Sequence, residues 1–459
     1  MDDTICAVAT PLGEGGIGIV RISGAEAVAV AARIVRVKSG TPLQDLASHT
    51  LHYASFSSVQ NDTEEDVDDG LVVVMRAPRS YTGEDVVELH CHGGPVVLTT
   101  ICQVLVEAGA RLAAPGEFTK RAFLNGKMDL TQAEAVMDVI HAHSERGLRM
   151  AQAQRRGRLG EALDDLRERL MRLLAELEAG IDFSEEDIEF IGREELIKGI
   201  GEVRVAVARL LQSGARGRIL REGASVALVG RPNVGKSSLM NALLATDRAI
   251  VTAIPGTTRD VLEEMVNLDG VAVRLQDTAG LRTAEDPVER EGIRRTETTI
   301  EDADVVVILI DGSSRLLDED CLLLGRCREK KCLVVVNKVD LQPRLSDEDR
   351  DKLGLGTLEV SAKTGEGLDK LRTRIRELLV GGDGESSDGV LITRVRHEIA
   401  LQTVGASLEK AMKSVGARLP AEIIAVDLRD AVEALGEITG AVTTDDILDR
   451  IFSQFCIGK

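Results

Sequence analysis

The sequence predicts a multidomain α/β chain, in which an α+β N-terminal domain precedes a helical bundle and a separate α/β domain is inserted into that bundle. Three observations lead to this prediction. Residues 1–120 mix short β-like runs with helical ones. Two stripes of apolar residues with helical spacing lie far apart, at 159–177 and 401–419. Between the stripes, residues 221–380 alternate strand-like and helix-like segments, which is typical of a parallel sheet.

The N-terminal elements are predicted from β-branched runs that Gly, Pro or Asp residues bound. Strands are predicted at 17–22, 70–75 and 86–89, and helices at 25–35 and 95–107. Short β-like runs alternate with helical ones in this region, which we interpret as an α+β domain.

The helical bundle is predicted from the two apolar stripes. The first consists of Leu159, Leu163, Leu166, Leu170, Leu173 and Leu177, and the second of Leu401, Val404, Leu408, Met412, Val415 and Leu419. Steps of three and four residues place each set on one side of a helix, where it must be buried. A bundle core is a simpler interpretation than a dimeric coiled coil. Gly157 and Gly160 are expected to break or bend the start of the first helix.

Two Gly-rich joints, at 214–217 and 381–389, flank the α/β segment. They predict an inserted domain on flexible connections. We therefore expect an N-terminal domain at 1–120, a helical domain in two parts at 121–220 and 381–459, and the inserted domain at 221–380.

The composition excludes several classes of protein. With 44% hydrophobic and 29% charged residues among 459, the chain has globular values rather than those of a disordered or collagen-like chain. No apolar run reaches the roughly 18 residues of a membrane-spanning helix. The first residues lack the basic-then-apolar order of a signal peptide. Seven cysteines without CxxC spacing suit a reducing compartment, so we expect a cytoplasmic protein without a membrane partner.

The formal net charge of −20 would repel a nucleic-acid backbone overall, so phosphates could be met only at a local basic patch. One candidate patch consists of Arg146, Arg149, Arg155, Arg156 and Arg158. A solvated helix face is the simpler interpretation of these arginines. Scarce aromatic residues also disfavour an RNA-binding platform of stacked rings.

A phosphate-binding loop is predicted at 230–237. Its sequence, Gly-Arg-Pro-Asn-Val-Gly-Lys-Ser, matches GxxxxGK[ST] and lies between a strand-like run at 225–229 and a helical pattern. In such a loop the backbone N–H groups surround the phosphates, Lys236 reaches the terminal phosphates and Ser237 binds Mg²⁺. This context predicts a P-loop domain.

Three further motifs follow strand-like runs in order along the chain. Asp277 begins a DTAG motif, whose carboxylate can hold Mg²⁺ through water and whose last N–H lies near the terminal phosphate. The NKVD motif at 337–340 ends in a carboxylate that can accept hydrogen bonds from guanine N1 and N2, a pair of donors that adenine lacks. The SAK motif at 361–363 completes the base pocket. Together these motifs predict a Ras-like GTPase domain.

Two residues bear on hydrolysis. Leu281 follows the DTAG motif where Ras-like proteins have a glutamine that orients the attacking water, and leucine cannot hydrogen-bond to water. Asn233 offers a side-chain carbonyl within the phosphate loop, where an oxygen ligand suits a monovalent cation in place of an arginine finger. That Asn233 only shapes the loop is an equally good interpretation of its sequence position.

Segments outside the P-loop, DTAG, NKVD and SAK motifs carry a more specific pattern. They lie at 15–24, 81–89, 115–118, 121–130, 256–260 and 455–459. With them, the chain resembles the MnmE (TrmE) family of tRNA modification GTPases over essentially its whole length.

The resemblance implies a folate-binding N-terminal domain of the aminomethyltransferase type, which also forms a homodimer, and a GTPase domain inserted into a helical domain. It implies a heterotetramer with the flavoprotein MnmG (GidA), which contributes FAD and NADH. The expected reaction places an aminomethyl or carboxymethylaminomethyl group on C5 of the wobble uridine of certain tRNAs. A tetrahydrofolate derivative supplies the one-carbon unit, and glycine or ammonium supplies the nitrogen.

The family's folate contacts fall on Arg21, Glu88, Lys127 and Lys459. A cation can pair with the glutamate tail of a folate, and a carboxylate can pair with the pterin amino group. Composition alone would place all four residues among ordinary surface charges. Cys456 matches a family cysteine for which a catalytic role has been considered. A small, partly buried thiol is an equally good interpretation of this residue.

In the GTPase domain, the resemblance implies K⁺ ligands at Asn233, Thr252, Ile254 and Thr257 and Mg²⁺ ligands at Ser237 and Thr258. It also implies that Glu289 is the catalytic residue that helps to orient the attacking water. The expected GTP-binding residues are Asn233, Val234, Gly235, Lys236, Ser237, Ser238, Thr252, Ala253, Ile254, Pro255, Gly256, Thr257, Thr258, Asp277, Thr278, Ala279, Gly280, Asn337, Lys338, Asp340, Ser361, Ala362 and Lys363.

A second hypothesis is a ribosome-assembly GTPase of the Era or Der kind. Such a protein would need an RNA-binding appendage, for example a basic KH domain, after the GTPase domain. Here the segment from 381 onward is acidic and helical in pattern, and a folate-like domain precedes the GTPase motifs. Both features favour the tRNA modification hypothesis.

Overall fold

A computed structural model describes residues 3–60, 63–182, 191–247, 264–277, 298–354, 356–381 and 390–459. The chain divides into two compact units. The first consists of Met1–Met137 together with Gly436–Lys459, and the second of Asp138–Leu435. The predicted boundaries at 120, 220 and 380 stay a prediction, but the residues from Gly436 onward join the N-terminal region in this division.

The strands are β1 (Ile5–Val8), β2 (Gly18–Ser23), β3 (Val35–Val37), β4 (Leu51–Gln60), β5 (Thr63–Met75), β6 (Val86–Cys91), β7 (Arg111–Leu112), β8 (Ala224–Val229), β9 (Glu264–Leu268), β10 (Val271–Asp277), β11 (Val305–Asp311), β12 (Cys332–Asn337) and β13 (Leu358–Glu359). The helices are α1 (Ala27–Ile34), α2 (Pro95–Glu107), α3 (Glu117–Leu124), α4 (Leu130–Ile140), α5 (Glu145–Arg155), α6 (Arg158–Asp182), α7 (Arg193–Gln212), α8 (Gly214–Glu222), α9 (Lys236–Asp247), α10 (Asp318–Arg326), α11 (Asp347–Leu353), α12 (Leu368–Val380), α13 (Val395–Gly416), α14 (Ala421–Thr439) and α15 (Asp445–Phe452). None of these described helices combines the length and the apolarity that a membrane span requires.

The first unit contains a sheet in the order β3-β4-β5-β6-β2-β1-β7. Neighbouring strands are antiparallel, except for the parallel pair β1 and β7. Apolar residues of α1 and α2 share one core with the inward-facing residues of the sheet, such as Ile22 and Leu89. The structure confirms the predicted strands as β2, the end of β5 and β6, and the predicted helices as α1 and α2.

The C-terminal residues complete the first unit. Phe452 and Phe455 belong to one apolar cluster with Leu130 and Met137. Gly116 has a φ of 68°, and a Cβ there would lie 2.6 Å from the Phe452 carbonyl oxygen. Only glycine permits this close approach of the backbone at a positive φ.

The helical part of the second unit confirms most of the first apolar stripe. Helix α7 packs against both α6 and α13. Leu174 is buried in place of Leu173, whose side chain is half-buried beside Gly199. An ideal helix drifts by about 20° per heptad relative to a strict 3.5-residue repeat, which changes the residue that faces the core. Gly157, with a φ of 90°, separates α5 from α6 as expected.

The second stripe is confirmed in α13, with one error. Leu401, Val404, Leu408 and Val415 are buried. Leu419 is exposed because α13 ends at Gly416, so its inclusion in the stripe was wrong.

The second sheet lies in the order β13-β12-β11-β8-β10-β9. All neighbours are parallel except β9 and β10. Because β8, β11 and β12 are parallel neighbours, their carboxyl ends meet at one edge, where ligands bind in open α/β sheets. The four motif-bearing segments predicted from the sequence follow strand ends of this sheet.

The chain segments that enter and leave this α/β part are hydrogen-bonded to helices α4 and α5. Asp138 Oδ1, in α4, accepts hydrogen bonds from Arg221 Nε at 3.0 Å and Arg394 Nη2 at 2.8 Å. Arg221 lies in the last turn of α8, the helix that precedes β8, and Arg394 precedes α13. Gln154 Nε2 in α5 donates to the Leu391 carbonyl at 3.1 Å. The buried carboxylate thus holds the entry and the exit of the α/β part together.

Candidate functional site

The phosphate loop connects β8 to α9, as the motif predicts. Gly230 has a φ of 154° and Gly235 a φ of 101°. A Cβ on Gly235 would clash with the side-chain nitrogen of Asn337. Both glycines are therefore required by the backbone, and the second also by the residue behind it.

The Lys236 side chain hydrogen-bonds back to the start of the phosphate loop. Its side chain is buried, and Nζ donates to the carbonyl oxygens of Gly230 at 2.7 Å and Arg231 at 2.9 Å. A buried ammonium needs acceptors, and these two carbonyls supply them. The same ammonium lies at the N-terminus of α9, where backbone N–H groups favour an anion such as a phosphate.

Asn337 supports the loop from the end of β12. Its Nδ2 donates to the Val234 carbonyl at 2.9 Å, and its Oδ1 accepts from Ala362 N at 3.0 Å. The side chain is 1% exposed. One buried amide therefore joins the phosphate loop to the SAK motif.

Lys338 makes a second link to the loop. Its Nζ donates to the Asn233 carbonyl at 2.7 Å and to Asp311 Oδ2 at 2.6 Å. Burial raises the pKa of Asp311, but hydrogen bonds from Lys338 and Ser313 outweigh it and hold that pKa below its ordinary value. Asp311 is therefore a carboxylate under ordinary conditions.

Asp340 lies at the exposed side of the same edge. Its Oδ1 accepts a hydrogen bond from Ser361 Oγ at 2.6 Å, and Ser361 itself is buried. The serine orients the carboxylate, whose remaining acceptor sites can receive a pair of N–H donors. Lys363 is exposed in the same segment. The NKVD and SAK motifs are thus brought together with the phosphate loop.

Part of the predicted nucleotide site lies outside the described residues. This applies to the switch-loop residues from Thr252 to Thr258, to Thr278, Ala279 and Gly280, and to Leu281 and Glu289. Asp277 is described as the last residue of β10, in register with Leu228 of β8. Ser237 and Ser238 lie in the first turn of α9, beside the loop.

A second cluster of charges lies in the first unit, on neighbouring strands. Arg21 of β2 and Glu88 of β6 are partners in the strand register. Arg21 Nε and Nη2 each lie 2.8 Å from Glu88 Oε1. The guanidinium also lies 5.6 Å from the Tyr81 ring centroid and 5.7 Å from that of Phe118. Two aromatic rings and a carboxylate therefore hold Arg21.

The tail brings Lys459 to this cluster. The Gly458 carbonyl accepts from Arg21 Nη1 at 3.4 Å. Burial, followed by the nearby Arg21 guanidinium, lowers the pKa of the Lys459 ammonium, and Glu88 opposes this shift. Cys456, two residues before Gly458, is exposed. Three of the four predicted folate contacts, Arg21, Glu88 and Lys459, are thus close in space.

Lys127 lies beside a loop that reaches the same cluster. Its Nζ donates to the Pro78 carbonyl at 2.9 Å. Its side chain also lies against Gly83 in that loop, which carries Tyr81 beneath Arg21. Among the described residues, no hydrogen bond or ion pair joins Lys127 to Arg21, Glu88 or Lys459.

Two family models match the chain. The one described as the GTP-binding protein TrmE N-terminus matches residues 4–127, and the MnmE helical domain matches residues 130–456. The tRNA modification GTPase MnmE of Heliobacterium modesticaldum is 47% identical over 465 residues, which is 100% of this chain and 99% of that protein. The MnmE proteins of Moorella thermoacetica and Geobacter sulfurreducens are 46% and 45% identical, again over 100% of both chains.

The chain belongs to the tRNA modification GTPase MnmE family.

Solved structures give a weaker comparison. An Era variant of Aquifex aeolicus bound to GDP and AlF4⁻ is 24% identical, with a TM-score of 0.27, over 40% of this chain and 66% of that chain. The FeoB G domain of Methanococcus jannaschii is 24% identical, with a TM-score of 0.26, over 34% of this chain and 97% of that chain. Both structural matches cover less than half of this chain, and its family membership follows from the full-length relatives.

The residues present fit the nucleotide and the cations that an MnmE protein is expected to bind. The loop offers backbone N–H groups and a helix N-terminus for phosphates, with Ser237 in the first turn of α9 as an oxygen ligand for Mg²⁺. Asn233 is exposed, and none of the described residues hydrogen-bonds to its side-chain amide. Its oxygen is therefore open to a K⁺ ion. The remaining ligands stay a prediction, because they lie outside the described residues.

The charges of the first unit fit a folate. Arg21 and Lys459 are cations for a glutamate tail, and Glu88 can accept from a pterin amino group. Burial and the Arg21 guanidinium lower the pKa of the half-buried Lys459 ammonium, and an anionic ligand beside the two cations would oppose that shift.

Sequence reasoning missed Arg121, which lies within a family-matched segment. Its guanidinium is 1% exposed and bonds to Asp3 Oδ1 at 2.8 Å and Glu117 Oε1 at 2.9 Å. Burial raises the pKa of Glu117, but hydrogen bonds from Arg111, the Ala114 N–H and Arg121 hold it at about 2. Arg121 follows the buried Phe118 by three residues in α3, and this helical spacing on the buried side is a signal that could have found the network.

One other cluster has the composition of a metal site. Asp68, Asp69 and His92 lie with their ligand atoms within 4.8 Å of one another, the one such group found among the described residues. A hydrogen bond to Asp68 at 2.8 Å raises the pKa of His92. That arrangement favours an imidazolium–carboxylate ion pair, and it explains the cluster without a metal.

Proposed function

We propose that this protein hydrolyses GTP to drive modification of the wobble uridine of certain tRNAs at C5, together with a flavoprotein of the MnmG (GidA) kind. The observation that carries the proposal is the meeting of the phosphate loop with the NKVD and SAK motifs at one sheet edge, in a chain similar over its full length to MnmE proteins. The group transferred is aminomethyl or carboxymethylaminomethyl. The working assembly is a heterotetramer of two chains and two flavoproteins that carry FAD and use NADH.

The residues of the GTPase site divide the work between binding and hydrolysis. Lys236 turns from the loop carbonyls to the terminal phosphates, and Asp340 accepts from the guanine N1 and N2. Ser237 and Thr258 hold Mg²⁺, which neutralises phosphate charge. Asn233, Thr252, Ile254 and Thr257 hold K⁺, which takes the place of an arginine finger. Glu289 helps to orient the attacking water, because the Leu281 side chain cannot hydrogen-bond to water.

The folate derivative that carries the one-carbon group binds to the first structural unit. Arg21, Glu88, Lys127 and Lys459 bind a tetrahydrofolate derivative, and Cys456 lies two residues from the tail contact with Arg21. The exposed thiol is accessible to a reacting carbon, whereas buried thiols such as Cys6, whose pKa burial raises to about 12, are not. A reducing cytoplasm is the compartment that these free cysteines suit.

The function is tested by the nucleosides of tRNA from a host strain that lacks this protein. We expect loss of C5-modified wobble uridines, with restoration by the wild-type chain but not by Lys236→Ala, because the lysine is needed for the nucleotide. Liquid chromatography with mass spectrometry of digested tRNA measures this. Normal modified uridines together with accumulated ribosomal precursors would instead support the Era-like hypothesis.

Potassium should activate GTP hydrolysis. At equal ionic strength, we expect turnover to be about 100-fold faster in K⁺ than in Na⁺, the order that one transition-state contact contributes. K⁺ is the larger of the two ions and suits a site built from carbonyl and hydroxyl oxygens. Leu281 has no polar group that could assist hydrolysis in place of the cation. Phosphate release measured in the two salts checks this. Equal rates would remove the cation from the proposal.

Gly458→Ala should weaken folate binding without altering any charge. Gly458 has a φ of 94°, and a Cβ there would clash with the Val8 carbonyl, so the variant displaces the tail that carries Lys459. We expect the affinity for 5-formyl-tetrahydrofolate to fall about 10-fold or more, the order of one charged hydrogen bond.

Calorimetric titration measures the folate affinity, and Ile457→Ala is the matched control because Ile457 is exposed in the same tail. GTP hydrolysis should be unchanged in both variants. Wild-type folate affinity in Gly458→Ala, with the tail shown by limited proteolysis to be released, would contradict the role of Lys459.

A further inference from the structure

Asp311 is a charged residue of the nucleotide site that belongs to none of its sequence motifs. It is the last residue of β11, beside β12 in the sheet, and its side chain is 15% exposed. The carboxylate accepts from Ser313 N at 2.9 Å, Ser313 Oγ at 2.6 Å and Lys338 Nζ at 2.6 Å. Three donors thus fix its orientation toward Lys338.

Lys338 carries this constraint to Asn233. Its ammonium donates to the Asn233 carbonyl at 2.7 Å while it is held by Asp311. Asn233 has a φ of 64°, in the left-handed region that residues other than glycine rarely adopt. The direction of the Asn233 side chain follows from this backbone conformation. Asp311, Lys338 and Asn233 therefore form one chain of contacts that ends at the proposed cation ligand.

The contact from Lys338 should remain when the loop is loaded. The carbonyls of Gly230 and Arg231 are held by Lys236, which is expected to turn toward phosphates. The carbonyls of Asn233 and Val234 are held by Lys338 and Asn337, which belong to the end of β12 and not to the loop or to α9. Asn233 thus keeps its support from the strand that also carries the guanine motif.

The negative charge of Asp311 has a second effect, on the ability of Asn233 to bind a cation. The Lys338 ammonium lies against Asn233, and an uncompensated positive charge there would oppose a cation at the Asn233 side chain. The Asp311 carboxylate, 2.6 Å from that ammonium, compensates the charge. Geometry and charge therefore act in the same direction.

We propose that Asp311 is a positioning residue for the monovalent cation: through Lys338 it holds Asn233 in the ligand conformation and offsets the lysine charge beside it. This inference rests on the proposed potassium site. It joins guanine recognition to cation binding, because Lys338 belongs to the NKVD motif.

The test measures binding rather than turnover, with the full chain and the fluorescent nucleotide mant-GDP. Aluminium fluoride is added, and K⁺ replaces Na⁺ at constant ionic strength. The readout is the K⁺ concentration that gives half-maximal formation of the mant-GDP–aluminium fluoride complex. Affinity for mant-GDP alone, in Na⁺, is measured separately.

In Asp311→Asn, we expect the half-maximal K⁺ concentration to rise about 10-fold, the order of one charge-assisted hydrogen bond. Affinity for mant-GDP alone should change by less than about 3-fold, since Asn337 and Asp340 are untouched. Asp311→Glu, which keeps the charge, should show a smaller rise. Asp318→Asn is the matched control, because it removes one exposed carboxylate seven residues away and should change neither value.

The outcomes separate this inference from the function on which it rests. If the wild type forms the complex equally in K⁺ and Na⁺, the proposed potassium site fails. If the wild type prefers K⁺ and Asp311→Asn has the same K⁺ requirement, the role of Asp311 is overturned. Loss of mant-GDP affinity with an unchanged K⁺ requirement would make Asp311 a support of the guanine pocket alone, which also overturns it. If Asp311→Asn does not fold, Asp311→Glu decides: the extra methylene displaces the carboxylate from Lys338 and Ser313, so a K⁺ requirement equal to that of the wild type overturns the proposal.

Discussion

The hydrogen bonds from β12 to the phosphate loop are the constraint on which the nucleotide site depends. A loop that turns its N–H groups inward toward phosphates must turn carbonyl groups outward, and these need donors. Asn337 and Lys338 provide them for Val234 and Asn233. The strand that leads into the NKVD motif is therefore also the support of the phosphate loop, so the two motifs belong to one connected structure.

The first unit follows the same rule with a different ligand chemistry. Charged groups that leave water need partners, and Arg21 obtains them from Glu88 across the strands, from two rings and from the tail carbonyl. Burial and the neighbouring Arg21 guanidinium lower the pKa of the half-buried Lys459 ammonium. Two cations this close together suit an anionic ligand.

Features that depend on residues close together in the sequence could be predicted, and features that depend on residues far apart in the sequence could not. The β8–loop–α9 segment was predicted because its requirements, a buried strand, two glycines and a helix start, are local in sequence. Leu419 was misassigned because the end of α13 depends on local capping that apolar spacing does not show. The Arg21–Glu88 pair and the place of the tail depend on strand register and chain return, so they came only from family resemblance. Asp311 was missed because its partner lies 27 residues away.

We propose that the carboxyl ends of β8, β11 and β12 form a guanine nucleotide site, in which Asp340 recognises the base. Displacement of mant-GDP by unlabelled nucleotides tests it most directly. On the wild type, GDP should compete and ADP should not. On Asp340→Asn, GDP should lose at least about 100-fold in affinity and xanthosine diphosphate should gain, because the new amide donor suits the xanthine carbonyl. Unchanged GDP affinity in the variant, or equal displacement by ADP on the wild type, would contradict the account.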